Sequence, residues 1–372
     1  MNNTANIAKE PLLRIVKRGS EGISAKKNIG IRAAAVALAL VIDAFFIVFV
    51  TGLNPFVVYL EIFKATFATP LRFMWAMRDM VALLCIGIAL APAFKMRFWN
   101  IGAEGQVLMG GFATALCMMY LGPVLPTPVL FLVMIVTSIL AGAVWSFFPA
   151  FFKANWNTNE TLFTLMMNYV AIQLVAYATN ILRGQQSSLG TINMGTRIGW
   201  FPKIFGYDFT INIIIVAVLT VAMYIYLKYT KHGYEISVVG ESENTAKYAG
   251  IDVKKVTLRT LLISGAICGL CGFITVAGNK HTIATNTADG NGFTAIIVAW
   301  LAKFNTFYML LISFLLIFLE KGAGQIASTF GMNEYICDII SGIILFCILG
   351  SEFFLNYRVI FRHSETAGGE SK

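Results

Sequence analysis

The chain has 372 residues, 58% of them hydrophobic and 13% charged, with a formal net charge of +9. A soluble domain is about half apolar and a quarter charged, and the mean hydropathy here is +0.74. Composition therefore excludes an ordinary soluble enzyme. The basic excess reads as positive loops beside a membrane rather than as a nucleic-acid surface, so no nucleic-acid partner is expected.

The first 32 residues hold seven basic side chains and lead into Ala33–Thr51, "AAAVALALVIDAFFIVFVT". That run is longer than the apolar core of a signal peptide, and no small-residue cleavage site follows, so it reads as an uncleaved first span. Crossing a hydrocarbon layer of roughly 30 Å takes about 20 apolar residues. Further runs approaching that length lie at 79–94, 101–121, 128–152, 161–182, 209–228, 257–277 and 335–356. The stretch 293–319 is too long for one comfortable crossing and breaks at "LAKFNTFY", so it reads as two short crossings turning near Lys303.

With the N-terminus inside, loops 53–78, 183–208 and 278–290 face outward, while 95–100, 153–160 and 229–256 face inward. The inner side then receives 20 of the 28 Lys and Arg residues, in keeping with the positive-inside rule. The expected fold is all-α: a polytopic membrane helical bundle of about ten crossings, within a range of eight to ten, with both termini cytoplasmic. Its organisation is a basic cytoplasmic segment at 1–32, a single transmembrane domain at 33–356 and a cytoplasmic tail at 357–372 carrying Arg358 and Arg362. The expected location is the cell membrane, crossed many times.

Three polar stretches interrupt the apolar pattern. "RFWNIGAEGQVLMGG" (Arg97–Gly111) places Asn100, Glu104 and Gln106 at the mouth of a span, among glycines at 102, 105, 110 and 111. An acid at the bilayer centre costs several kcal/mol, so Glu104 is expected to face a bundle interior, a wet cavity or the cytoplasmic boundary. Alternatively, Asn100 caps the helix and Glu104 strengthens its first turn. In "NWNTNETLFTLMMNYVA" (155–171), Thr158 or Asn159 suits a cap and Glu160 a helix start, while Asn168 lies two turns inside. A buried amide needs partners, so Asn168 either bridges helices or lines a pathway. The third stretch, 233–260, contains "ESENTAKYAG", which reads as a short helix capped by Ser242 or Asn244 and ended by Gly250 in a left-handed conformation. Held in an inward loop, it is well placed to dock on a soluble partner.

All six cysteines fall in apolar segments. Cys268 and Cys271 have the spacing of a redox or zinc pair, but Gly265, Gly269 and Gly272 around them make a small-residue face for helix packing. His232, His281 and His363 are scattered, without metal-ligand spacing, and no nucleophile elbow occurs. No metal and no catalytic residue are expected.

Together the polar stretches resemble permease subunits of ATP-binding-cassette (ABC) importers, in the branched-chain amino acid, simple sugar and nucleoside branch. "FWNIGAEGQVLMGG" and "NETLFTLMMNYVA" resemble the nucleoside subgroup. "GESENTAKYAGI" resembles the family's coupling loop, and "GNGFTAIIVAWLAKFN" (Gly290–Asn305) its late segment. The likeness runs in order from about residue 53 to residue 350. Where many members place a small-residue or proline turn after the late segment, this chain has "KFNTFYM".

The resemblance implies a nucleoside path driven by ATP hydrolysis on partner subunits. A permease for simple sugars such as ribose is the alternative, and an ion-coupled secondary transporter a remoter one. It implies a cytoplasmic ABC ATPase, a second permease subunit (homologous or identical) and an extracytoplasmic substrate-binding lipoprotein, all in contact with membrane lipid. No cofactor is expected on this chain, with ATP and Mg on the ATPase. The chain itself has no G-x-x-x-x-G-K-[ST] cradle and no Gly-Lys dipeptide, so hydrolysis is assigned to another polypeptide and the chain is not expected to be an enzyme. Carried over residue by residue, the coupling contact falls on Gly240, Glu241, Asn244, Ala246, Tyr248, Gly250 and Ile251, near 229–256. The path-lining candidates are Asn100, Glu104, Gln106, Glu160 and Asn168.

Overall fold

The computed structural model describes residues 13–17 and 25–361. Most of 1–32, together with Arg362, His363 and the rest of the expected tail, lies outside the described residues. Among the described residues the chain is a helical bundle, as its composition dictates. In chain order it runs β1 (Leu13–Lys17), α1 (Ala25–Thr51), α2 (Pro55–Phe67), α3 (Pro70–Lys95) and α4 (Ala103–Leu116). Then come α5 (Thr127–Trp156), α6 (Glu160–Arg183), α7 (Thr210–Tyr229), α8 (Lys231–Glu241) and α9 (Glu243–Tyr248). The remainder is α10 (Val253–Thr275), α11 (Asn291–Leu301), α12 (Thr306–Phe330), α13 (Glu334–Asn356) and β2 (Tyr357–Phe361). π-helical turns extend α4 to Leu121 and α10 to Lys280.

Among the described residues, eight helices are long and apolar enough to cross a membrane: α1, α3, α5, α6, α7, α10, α12 and α13. The expected break near Lys303 is present, since α11 ends at Leu301 and α12 starts at Thr306. The two pieces are unequal, however. At about 1.5 Å per residue, the 11 residues of α11 reach only about half of a hydrocarbon layer. The second piece continues past Leu319 to Phe330 as a helix of 25 residues.

One further expectation is corrected. The segment 53–78 is not a loop: α2 fills its first part and α3 begins at Pro70, where Thr69 caps the helix by accepting the Arg72 N–H at 3.2 Å. Proline at the first helical position explains why α3 starts well before the apolar run does. The all-α pattern also carries one small addition, an antiparallel pairing of β1 with β2 that sets Leu13 opposite Phe361 and Lys17 opposite Tyr357.

The chain divides into two compact units. One comprises residues 1–65 with 319–372, the other 66–318. In the first, α1 packs along α13. In the second, α10 is the central helix and packs on α5, α4 and α3. Small residues permit this: a Cβ on Gly269 would run into the Ser138 carbonyl of α5, and one on Gly272 into the Val107 carbonyl of α4. The Cys268 and Cys271 thiols are buried and free beside these contacts. Among the described residues no cluster of ligating side chains could hold a metal, and the small-residue packing accounts for the motif.

Candidate functional site

Between α3 and α4 the chain turns through 96–102, with Arg97 left-handed at φ 61°. Gly102 stands at the N-cap of α4 and offers no side-chain cap. Buried helix starts leave orphan N–H groups that cost about 1–3 kcal/mol each when unmet. Here α6 meets that of Gly105 and braces the turn before it. Asn168 accepts the Gly105 N–H at 2.8 Å and donates to the Ile101 carbonyl at 2.8 Å. Thr164, one turn earlier, accepts the Ile101 N–H at 3.1 Å. Asn168 therefore bridges helices.

Asn100 accepts the Gly102 N–H at 3.1 Å and so braces the turn ahead of α4. Its amide and that of Gln106 exchange hydrogen bonds at 3.2 and 3.4 Å, and Asn100 also donates to Ser264 of α10 at 3.3 Å. Glu104 does more than sit in its own first turn. Its carboxylate accepts the Gly290 N–H at 2.9 Å and the Gly292 N–H at 2.8 Å, at the start of α11. The N-cap of α11 is Gly290 at φ 72°, again without a side chain. A Cβ on Gly292 would fall 2.5 Å from the Glu104 nitrogen, so only glycine allows this approach. The stretches "NIGAEGQ" and "GNGF", almost two hundred residues apart in sequence, are thus one structure.

Asn100, Glu104, Gln106 and Asn168 are brought together, all at 6% exposure or less. Glu160 is not among them. Its carboxylate pairs with Lys153 at 2.8 Å and lines a cavity of about 340 Å³ with Arg97, Gly240, Glu241, Ser242 and Glu243. It belongs to the end of the bundle that carries α8 and α9.

That end is built as its residues suggest. Ser242 caps α9 by accepting the Thr245 N–H at 3.2 Å. Gly250 is left-handed at φ 76°, and the Ile251 N–H closes onto the Ala246 carbonyl at 2.9 Å. Ala246 is buried and anchors the short helix, whereas Glu241, Asn244 and Gly250 are exposed and Tyr248 stands 93% exposed. Gly240 abuts the Lys95 carbonyl at the end of α3, with no room for a Cβ. Asp252 then caps α10, and the Lys255 N–H bonded to it holds its carboxyl below the usual range.

Sequence reasoning missed a set of residues on α6. Leu162, Met166, Tyr169, Gln173, Tyr177 and Asn180 recur every three or four residues, so they share one face, and all are exposed. The opposite face, with Thr164, Asn168, Ala171 and Val175, is buried. The far end of the exposed stripe borders a cavity of about 550 Å³ whose walls include Gln173, Tyr177, Asn180, Arg183, Ser188 and Thr285. Arg183 is held in place by the Asn180 side chain at 2.8 Å and the Ser187 carbonyl at 2.8 Å. The available signal was Gln173, an amide in an apolar run and in helical register with two tyrosines.

Nearby, the long connection 184–209 is pinned to the loop after α10. His281 and Trp200 stack with centroids 3.8 Å apart, and the Ile192 N–H donates to the His281 carbonyl at 2.8 Å. Burial pushes the His281 imidazole below its ordinary value, with Asp208 opposing. His281, in the loop 278–290 expected to face outward, is a buried packing residue.

A family model described as "Branched-chain amino acid transport system / permease component" matches residues 74–349. The chain is similar to the guanosine ABC transporter permease protein NupP of Bacillus subtilis, 30% identical over 281 residues, covering 74% of this chain and 80% of that one. It is similar to the glucose ABC transporter permease protein of Haloferax volcanii, 29% identical, covering 75% and 76% of the two chains. A nucleoside ABC transporter permease protein of Lactococcus lactis, NupB, is 25% identical, covering 80% and 84%. No solved structure matches. In such systems the permease is not catalytic; a separate ATPase subunit hydrolyses ATP, and a substrate-binding partner supplies cargo. The matched segment contains both the α4–α11 contact and the short helix α9, and it covers well over half of the chain, which therefore belongs to the branched-chain amino acid transport system permease family, as a multi-pass ABC transporter subunit of the cell membrane.

Proposed function

We propose that this permease carries nucleosides inward, along a path walled by the exposed face of α6. The observation that carries this reading is the stripe Met166, Tyr169, Gln173, Tyr177 and Asn180 on a membrane-length helix. An amide on the exposed face of such a helix is costly against lipid, so that face is assigned to a wet path. Nucleosides are neutral, hydrogen-bonding and aromatic. Tyrosine faces and amides are the groups that meet those properties without a fixed charge to compensate. The cavity of about 550 Å³ at the end of the stripe lies within the roughly 300–1,000 Å³ typical of small-molecule sites. Relatives named for guanosine and for nucleosides support this cargo.

In this reading the buried cluster of Asn100, Glu104, Gln106 and Asn168 frames the path, and Glu160 stands at its inner mouth. The exposed residues Glu241, Asn244, Tyr248 and Gly250 receive the ATPase, with Gly240, Ala246 and Ile251 seating them. α8 and α9 are then cytoplasmic, as are both termini. ATP and Mg belong to the ATPase. A homologous or identical second permease closes the path, and an extracytoplasmic lipoprotein delivers the cargo. The guanosine permeases NupP and NupQ of Bacillus subtilis both match this chain, which supports a paired arrangement. A second reading, simple sugars, is favoured by the relative named for glucose, since sugars use the same amides.

The test is uptake of labelled guanosine and uridine in cells with and without this chain, beside an ATPase-dead control. Ribose and glucose serve as unlabelled competitors. Loss of nucleoside uptake that sugars do not compete, and that depends on the ATPase, is the expected result. Loss of sugar uptake with nucleoside uptake unchanged overturns the cargo while keeping the transporter.

A further inference from the structure

The cavity of about 550 Å³ at the far end of α6 holds a cation and no carboxylate, since Arg183 is the one charged residue among the described residues that line it. Three hydrogen bonds tether its guanidinium. Nε and Nη2 donate to Asn180 Oδ1 at 3.1 and 2.8 Å, and Nη1 donates to the Ser187 carbonyl at 2.8 Å. A guanidinium has five N–H groups, so two remain, one on Nη1 and one on Nη2, without an acceptor among the described residues. The fold has already restricted a side chain that otherwise samples many rotamers, so a ligand meets a preorganised fork.

Asn180 is committed by the same contacts. Both lone pairs of its Oδ1 are spent on Arg183, which leaves its side-chain NH2 as a donor. Arg183 and Asn180 together therefore offer a ligand only donors. Gln173, Ser188 and Thr285 also line the cavity and can either donate or accept. The acceptors that Arg183 already holds are both amide carbonyl oxygens, the same kind of oxygen that an oxo nucleobase carries.

We infer that this cavity reads the nucleobase, taking bases with an exocyclic oxygen (guanine, hypoxanthine, uracil) over those with an exocyclic amine (adenine, cytosine), and that Arg183 discriminates between them. The inference rests on the nucleoside reading above and adds which bases are preferred. O6 and N7 of an oxo purine are adjacent acceptors that match two N–H groups of one arginine. Adenine sets an amine in place of O6, so donor would face donor and one N–H would go unmet. Uracil likewise offers O4 where cytosine offers an amine. Tyr177, one turn before Asn180 on the same face, supplies a ring on which the base can stack. A phosphate is disfavoured by position. Arg183 lies in the last turn of α6, where free carbonyl groups carry partial negative charge, and no second cation among the described residues lines the cavity.

The test is uptake by cells carrying the complete transporter, with labelled inosine set against adenosine and labelled uridine against cytidine. Each pair differs chiefly at the exocyclic group. The parent and Arg183→Gln are compared with the same binding protein and ATPase, so any preference those partners contribute cancels. In Arg183→Gln the ratio of uptake efficiencies for inosine over adenosine is expected to fall about tenfold, as befits lost hydrogen bonds to a charged donor. The ratio for uridine over cytidine is expected to fall severalfold. Asn180→Ala, which frees the guanidinium and keeps its charge, is expected to lower both ratios by less, and it carries the test if Arg183→Gln does not insert. Ratios equal to the parent's in an inserted variant, or equal loss of all four nucleosides, would overturn the base-reading role and leave nucleoside transport standing. Stronger competition by inosine 5′-monophosphate than by inosine would place a phosphate at Arg183 and overturn it too. If uptake of none of the four depends on this chain, the proposed function fails, and this inference with it.

Discussion

α10 and α6 are both long apolar helices, yet 72% of the α10 span is buried within the chain and only 22% of the α6 span. The difference follows from side-chain size and from how polar groups are paired. α10 presents Gly265, Gly269 and Gly272 to its neighbours, so backbones meet with nothing between them. α6 spends one face, through Thr164 and Asn168, on the start of α4, and leaves Tyr169, Gln173, Tyr177 and Asn180 open on the other. Polar residues in this protein therefore fall into two kinds. Saturated ones hold backbone and build the frame, while those on the exposed face of α6 are the ones that, under the proposed function, a passing solute meets.

Gly269→Val gives the largest expected effect, because its side chain would drive into the Ser138 carbonyl and the Gly142 backbone. Overpacking typically costs about 1–3 kcal/mol and more where backbone cannot yield. No monodisperse permease should survive size-exclusion chromatography. A normal yield would mean that α10 is not the rigid centre.

Next comes Glu104→Ala, which strands the N–H groups of Gly290 and Gly292. At about 1–3 kcal/mol each, Tm should fall by roughly 3–8 °C in a chain of this length, and Glu104→Gln, which keeps one acceptor, should recover part of that. If Glu104→Ala melts like the parent and loses only cargo affinity, the division between frame and path collapses.

Gln173→Ala and Tyr177→Ala should do the reverse. Each is expected to raise the KM for uptake about tenfold, from one lost hydrogen bond or stacking surface, with Tm nearly unchanged. A large drop in Tm with KM intact would place this face in a protein contact instead.

A smaller effect is expected at the other end. Gly250→Val forces a valine into φ 76° at about 1–2 kcal/mol, and nothing lies within 4 Å of its Cβ to clash. The permease should insert normally and retain severalfold less ATPase on co-purification. Undiminished co-purification and uptake would remove α9 from the coupling surface.

The smallest effect concerns His281, whose buried Nδ1 has no partner and whose pKa is lowered, first by burial. The folded state thus prefers the neutral ring, while the unfolded chain takes up a proton near its ordinary value of about 6.5. The contribution is fully present above that pH and is lost as pH falls through the lower folded value. Tm should drop by at most about 2 °C between about pH 7.5 and 5.5, and His281→Phe, which keeps the stack on Trp200, should flatten that slope.

Some of this was legible residue by residue. Ser242, Gly250 and Asn159 act locally, through contacts three to five positions away, so capping rules find them directly. The break at 302–305 shows because Lys303 and Asn305 interrupt an apolar run. The helical segment at 53–78 escaped notice because Glu61, Lys64, Arg72 and Arg78 dilute its hydropathy, although Pro70 and Thr69 mark a helix start.

Sequence by itself determined that the chain is a bundle of membrane helices and where a short capped helix sits between two of them. Apolar run length and local capping decide those features, and both are properties of neighbouring residues. Tertiary structure alone decided what each polar side chain serves. Glu104 belongs to α11 and Asn168 to α4, because a buried polar group must pair with whatever backbone donor the fold brings to it, however far away in sequence. It also decided which face of α6 stays open, since that depends on how much of the helix its neighbours cover.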